Sequence, residues 1–246
     1  MRQTWILIAV GIAVFVAVVI ATLPASLLVD RLPPELALEG ISGTVWNGAA
    51  DQFRLRGTPL GTVHWAAEPA ALLVGKLAYR VELARADGYL RGRLAATFGG
   101  ALEGDALDLK LPLTALHPQH RDDAWTGDLS GRIEHLRLEK GWPVALTGTF
   151  AVERLRPPGS RLEIGAYALD FDGRANTPAQ LVGRVRDVAA PLVVRGQLEI
   201  RRDRSYRLQG EVTPRPDAAA DVKGAVAFLG HPDAAGRRSF EITGTF

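Results

Sequence analysis

The chain has 246 residues, 47% hydrophobic and 23% charged, with 26 Gly, 15 Pro and no Cys. That composition is too apolar for a disordered chain, and the missing Cys excludes a disulfide scaffold, a thiolate metal site and a cysteine nucleophile. Lys and Arg total 29 against 27 Asp and Glu, a net charge of +2, which lacks the basic surplus a general nucleic-acid binder needs to displace counterions.

The first element is a run from Trp5 to Leu23 that carries no charge and one hydroxyl, Thr22. As a helix it would span roughly 28 Å, close to the hydrocarbon thickness of a bilayer. An apolar face all round demands burial on every side, so one transmembrane helix is the economical reading. The rival is a cleaved signal peptide, with a small-residue site near Leu23-Pro24-Ala25. Arg2 and the α-amine precede the run, while Asp30 and Arg31 cancel after it, which orients the N-terminus inward. The expected organisation is a cytoplasmic stub over 1–4, a membrane helix over 5–23 and an all-β domain over 24–246. For a bacterial inner membrane, that domain lies in the periplasm.

Only short helices fit the remainder. Residues 24–32 suit a brief continuation or bend, and Pro69 opens a turn that ends before Gly75, with Pro at a first-turn position. Elsewhere the apolar period is two. Leu107, Leu109, Leu111 and Leu113 alternate with polar residues, and so do Leu192, Val194, Leu198 and Ile200, then Tyr206, Leu208 and Val212, with 201–205 as a hairpin loop. Leu129 and Ile133 share a parity that Leu136 and Leu138 have lost, which predicts a bulge or a tight turn near His135. Residues 116–124 and 156–159 read as loops within one sheet system. About a dozen strands are expected, giving a mainly β fold: one membrane helix plus a curved antiparallel meander, as a half-barrel, groove or sandwich.

A frame of apolar, any, Gly, any, apolar recurs, for example at Gly92, Gly127, Gly131, Gly148, Gly183, Gly196, Gly210, Gly224 and Gly244. It holds 17 of the 26 Gly, far more than the square of a 47% hydrophobic share would give. On a strand, each such Gly lies between two side chains of the same face and leaves a notch there, which favours a strongly bent sheet.

Motifs for chemistry are missing. There is no G-x-S-x-G elbow and no H-E-x-x-H, and Gly75-Lys76 lacks the upstream Gly and following hydroxyl of a phosphate loop. His117 and His120 near Asp122 and Asp123 have ligand chemistry but sit in a Pro-broken loop, which favours a solvated loop over a zinc site. His64 beside Trp65 reads as structural. The chain is read as a non-enzyme with no cofactor and no metal.

The segment from Leu27 to Leu77 is the most distinctive. Gly43-Thr44-Val45-Trp46-Asn47-Gly48 is followed by Gly61, Trp65, and Pro69-Ala70-Ala71-Leu72-Leu73 before Gly75. As an extended segment, Thr44 and Trp46 would share one face and Gly43 and Val45 the other, with Trp65 as a cross-strand partner for Trp46. This ordered set resembles the type II secretion system protein N family, as does the C-terminal part from Asp221, read as a strand, a turn at Gly230-His231-Pro232 and a closing strand. The resemblance implies a bitopic inner-membrane component of the secretion machinery with no catalytic activity. Its expected partners are the inner-membrane platform proteins, with the outer-membrane secretin as a second candidate and lipid met through the N-terminal helix. Two other readings stay open. One is a groove for lipid or another apolar ligand, of AsmA-like type. The other is an outer-membrane barrel closed by a strand ending at Phe246, against which stands an aromatic content of 7%.

Overall fold

The computed structural model describes residues 11, 12, 14–16, 18–27, 34, 36–55, 57–115, 125–160, 162–227, 229 and 231–245. The loop at 116–124, with its two His and two Asp, lies outside them, as do residues 1–10, Gly230 and Phe246. The fold is mainly β, and the chain forms two compact units, residues 1–86 and 87–246.

In the first unit the described residues from 11 to 21 are helical (α1), and a one-turn 3-10 segment at 25–27 follows Pro24. Every described side chain of α1 is exposed. Among the described residues no helix is long and apolar enough to cross a membrane; the expected span 5–23 lies partly outside them. Four antiparallel strands follow in chain order: β1 (Leu36–Gly43), β2 (Asn47–Leu55), β3 (Thr58–Ala67) and β4 (Lys76–Arg85). Period-two patterning puts Ala50, Val63 and Leu83 in one buried row across β2, β3 and β4, while Ala49, His64 and Glu82 form the neighbouring polar row. His64 is an exposed residue of β3.

The second unit is a nine-stranded antiparallel meander. Its strands are β5 (Gly88–Thr97), β6 (Ala101–Pro112), β7 (Thr126–Glu139), β8 (Trp142–Arg156), β9 (Gly165–Asp172), β10 (Gln180–Ala189), β11 (Leu192–Arg201), β12 (Ser205–Pro214) and β13 (Arg238–Thr245). Leu107, Leu109 and Leu111 lie on β6 and the later alternating residues on β11 and β12 as expected, whereas Leu113 opens a 3-10 turn (Leu113–Ala115) after Pro112. The pairing of β7 with β8 slips between Ile133 and His135, where the parity changes. β13 pairs with β12, and the strand order does not return to β5, so the described pairing closes no barrel. The C-terminal expectation needs one correction: Ala220–Ala227 is a helix (α2), not a strand. Val222 and Val226, one helical turn apart, are both buried, so the segment packs by helical period.

One face of the second unit is apolar. Leu107, Ile133, Leu146, Phe171 and Leu181 form its buried cluster, with Leu109, Leu136, Phe150, Leu169 and Ile200 packed around them. The glycine frame finds its use here, and the notches are filled. Gly131 faces Phe150, Gly148 faces Phe171, Gly210 faces Phe240 and Gly244 faces Tyr206 across neighbouring strands. A Cβ on Gly131 would stand 2.8 Å from the Phe150 ring, and one on Gly244 would stand 2.6 Å from the Tyr206 hydroxyl. Gly131 and Gly244 are thus seats of a large side chain from the adjacent strand, a pairing that offsets the poor strand propensity of Gly, whereas a Cβ on Gly148 or Gly210 would first meet the Arg132 or Arg195 carbonyl of the other neighbouring strand. Phe150 and Phe171 meet edge to face with centroids 6.1 Å apart, worth about 0.5–1.5 kcal/mol beyond their area.

The opposite face carries charge in register. Arg91, Asp108, Arg132, Thr149, Asp170 and Arg184 form one row across β5 to β10. Arg132 lies 2.7 Å from Asp108, and Asp170 accepts from Thr149 at 2.9 Å and Arg186 at 2.9 Å. The hydrogen bond from Arg132 holds Asp108 below the usual carboxylate range. Burial pushes Asp170 upward, but the bonds from Arg186 and Thr149 outweigh it and leave the net shift downward. Opposite charges placed directly across strands make this face stable in water without a partner layer.

Candidate functional site

The resemblance-bearing residues converge at one end of the first unit. β1 and β2 are joined by the tight turn Thr44-Val45-Trp46. Gly43 enters it at φ +86°, and a Cβ there would stand 2.5 Å from the Asn47 carbonyl, so the turn needs Gly. The Thr44 amide donates to the Asn47 carbonyl at 2.8 Å, and the Asn47 amide donates back to the Thr44 hydroxyl at 3.1 Å.

This turn receives the end of α1. The last carbonyls of a helix have no intrahelical donor, and Pro24 stops the helix from supplying one. The indole N–H of Trp46 donates to the Ile20 carbonyl at 2.7 Å, and the amide of Val45 donates to the Leu23 carbonyl at 2.9 Å. Pro24 and Thr44 form an antiparallel bridge, and Ala25 behind it is fully buried. The sequence places Trp46 on a strand face against Trp65; the structure places it in the turn, facing the helix end. Periodicity could not find this partner, because it lies 26 residues upstream outside any sheet register.

Trp65 supports the same turn from β3. Its indole N–H donates to the Thr44 carbonyl at 3.2 Å, and its ring lies over Gly48, where a Cβ would approach to 2.5 Å. Gly48 and Trp65 are register partners, so the cross-strand partner of Trp65 is Gly48. Backbone continuity completes the site: the Ala67 amide donates to the Trp46 carbonyl at 2.6 Å.

Just beyond Ala67 comes the 3-10 turn Pro69–Val74, with Pro in its first turn and Gly75 as a left-handed cap at φ 73°, as the sequence predicts. Ala71 is buried and tethers the turn. Leu72, Leu73 and Val74 are 40%, 89% and 72% exposed. Gly61 stands apart, in β3 at φ +117° opposite Phe53, where the β2–β3 register shifts.

The contacts of this arrangement are backbone and indole hydrogen bonds. Among the described residues no group of three metal-ligating side chains occurs. The contact nearest to a catalytic pair is in the second unit, where His135 Nδ1 lies 2.9 Å from Asp105, which Arg93 also approaches at 3.2 Å.

The geometry defines an antiparallel β protein in which a Trp-bearing turn grips the end of an apolar helix. A family model described as type II secretion system (T2SS), protein N, matches residues 34–241. The chain belongs to that family and is a component of the type II secretion system. The type II secretion system protein N of Aeromonas hydrophila is 27% identical over 249 residues, covering 96% of each chain. That of Vibrio cholerae serotype O1 is 29% identical over 238 residues, covering 92% of each. No solved structure matches.

Proposed function

We propose that this chain is a non-enzymatic, single-pass inner-membrane component of the secretion system. Its N-terminus is cytoplasmic, its β units are periplasmic, and it acts by contact with the inner-membrane platform and, as a second partner, the secretin. The observation that carries the reading is α1. Its Ile12, Val14, Phe15, Val16, Val18, Val19 and Ile20 are all exposed, so no protein surface of the chain covers them. A helix that is apolar on all sides is stable where its surroundings are apolar. The grip of Thr44, Val45 and Trp46 on its last turn then sets the strands of the first unit at a fixed place relative to the bilayer surface.

The groove reading is less well supported. It rests on room left by inward Gly, and the notches at Gly48, Gly131 and Gly244 are occupied by Trp65, Phe150 and Tyr206.

The test is fractionation followed by photo-cross-linking in cells, with the cross-linker placed at exposed positions of the second unit such as Trp125 and Val188. The expected result is an intact N-terminus in the inner-membrane fraction and adducts with platform or secretin subunits. A mature chain starting after Ala25, or adducts with unrelated proteins alone, contradicts the proposal.

A further inference from the structure

We propose that the 3-10 turn Pro69–Val74 is a second membrane contact, seating Leu72, Leu73 and Val74 in the bilayer interface beside the point where α1 leaves it. The inference rests on the membrane reading of α1 and adds a surface that this reading does not require.

Position is the first argument. The turn follows β3 at the strand end that faces the β1–β2 turn. Asn47 is paired with Ala66, and the Ala67 amide donates to the Trp46 carbonyl at 2.6 Å. Trp46 in turn holds the Ile20 carbonyl at 2.7 Å. Two hydrogen bonds and one side chain therefore connect the helix end to the residue two places before Pro69. Thr44–Trp46 and Pro69–Val74 are the two connections at this end of the first unit's strands, the end at which Trp46 and Val45 meet the end of α1.

Composition is the second. The six residues Pro69–Val74 contain no acidic or basic group. Three successive apolar side chains at the tip are exposed, and Leu73 at 89% touches almost nothing of its own chain. A folded protein gains nothing by presenting three consecutive bulky apolar residues to water at the apex of a rigid turn.

Rigidity is the third. The Gly75 amide closes on the Leu72 carbonyl at 3.1 Å, the Ala71 amide on the Glu68 carbonyl at 3.0 Å, and the Glu68 amide on the Ala78 carbonyl at 2.8 Å. Ala71 is buried against the sheet, so the outward direction of Leu72, Leu73 and Val74 is fixed. A preformed apolar wedge of this kind enters the boundary between headgroups and acyl chains at low ordering cost. Trp46 has the residue type that favours the same depth. The occupant is therefore lipid, the apolar medium that α1 already requires at this end of the unit, and not a protein partner. With two points of attachment the first unit is held against tilting as well as against leaving the surface.

The absence of Cys makes the test direct. The full chain carrying Leu73→Cys is labelled with an environment-sensitive fluorophore and reconstituted in vesicles of phosphatidylethanolamine and phosphatidylglycerol. These vesicles also contain phosphatidylcholine brominated either close to the glycerol or close to the chain ends. The control is Ala84→Cys, an exposed site near the other end of β4, roughly 25–30 Å along the strand from Val74. The expected result is quenching by the shallow bromine at least about twofold greater for Leu73→Cys than for Ala84→Cys, greater than quenching by the deep bromine, with little quenching by aqueous iodide. Co-flotation of the chain with the vesicles, together with equal quenching at the two sites and free access of iodide to Leu73→Cys, overturns this inference while leaving the membrane anchor standing. Failure of the unlabelled chain to float with vesicles overturns the anchor and this contact together.

Discussion

Two regions of the molecule use the same device to different ends. In the second unit, Gly131, Gly183 and Gly244 lie against the Phe150, Phe171 and Tyr206 rings of the neighbouring strands, and the result is a packed apolar face. In the first unit, Gly48 lies opposite Trp65, but the Trp65 indole then reaches on to the Thr44 carbonyl, and the next aromatic, Trp46, points away from the sheet to the end of α1. A glycine–aromatic pair is thus a packing unit where the ring only fills the notch and a docking unit where an indole N–H is also aimed at a backbone carbonyl. The second unit turns Phe150 and Phe171 onto its own core, whereas the first offers Trp46 to the helix end and leaves Leu73 and Val74 uncovered.

The comparison can be broken at several points. The largest effect should come from Phe171→Ala. This ring is 4% exposed and contacts Phe150, so its loss should destabilise the second unit by about 3–5 kcal/mol in denaturant unfolding. Gly131→Val drives a branched side chain into the Phe150 ring and should cost about 1–3 kcal/mol. Unchanged thermal stability would mean the notch is empty. Trp46→Phe keeps the ring and removes only the donor to Ile20. A loss of about 0.5–1.5 kcal/mol is expected, confined to the first unit and read as faster amide exchange at Val45. A uniform loss of protection across both units would erase the distinction between packing and docking.

The smallest effect is one of pH and belongs to the polar face. Asp108 and Asp170 are held below the usual carboxylate range in the folded chain, so protons bind the unfolded chain more tightly. Their contribution is fully present above the unfolded value of about 3.9 and is lost as pH falls through the depressed folded values. Melting temperatures should lose this contribution only below about pH 4, and Asp108→Asn should remove part of that acid step. At the other extreme, burial pushes the Tyr167 hydroxyl up to about 12, with Asp187 adding to the shift. Stability should decline from about pH 10 to 12 as the unfolded phenol ionises first, and Tyr167→Phe should flatten that decline.

Much of the architecture is legible in the sequence because it depends on local rules. Period two locates β6, β11 and β12. The parity change locates the bulge beside His135. Pro69 and Gly75 bracket the short turn because each has the backbone geometry its end of the turn needs. The glycine frame is ambiguous for a physical reason. Apolar residues at i−2 and i+2 are four apart, which is one face of a strand but also one face of a helix. That is why Val222-Lys223-Gly224-Ala225-Val226 passes for a strand and folds as α2. The partner of Trp46 was not legible because a turn has no register from which to count, and the helix end it holds is chemically only a carbonyl. That the notches are filled was hidden for a similar reason: the filling side chain belongs to the next strand, and strand order is a tertiary fact.

The grip of the β1–β2 turn on the end of α1 is the contact on which the membrane placement of the first unit depends. Pro24 and Thr44 form an antiparallel bridge, which sets Leu23 opposite Val45, within the usual Cα separation of a disulfide. The doubly substituted Leu23→Cys, Val45→Cys chain, oxidised in intact membranes, is predicted to yield one internal disulfide in most molecules. Shifting the upstream cysteine to residue 21 should abolish it. Free thiols at 23 and 45, or equal cross-linking at 21 and 23, would contradict the claim that this turn receives the helix.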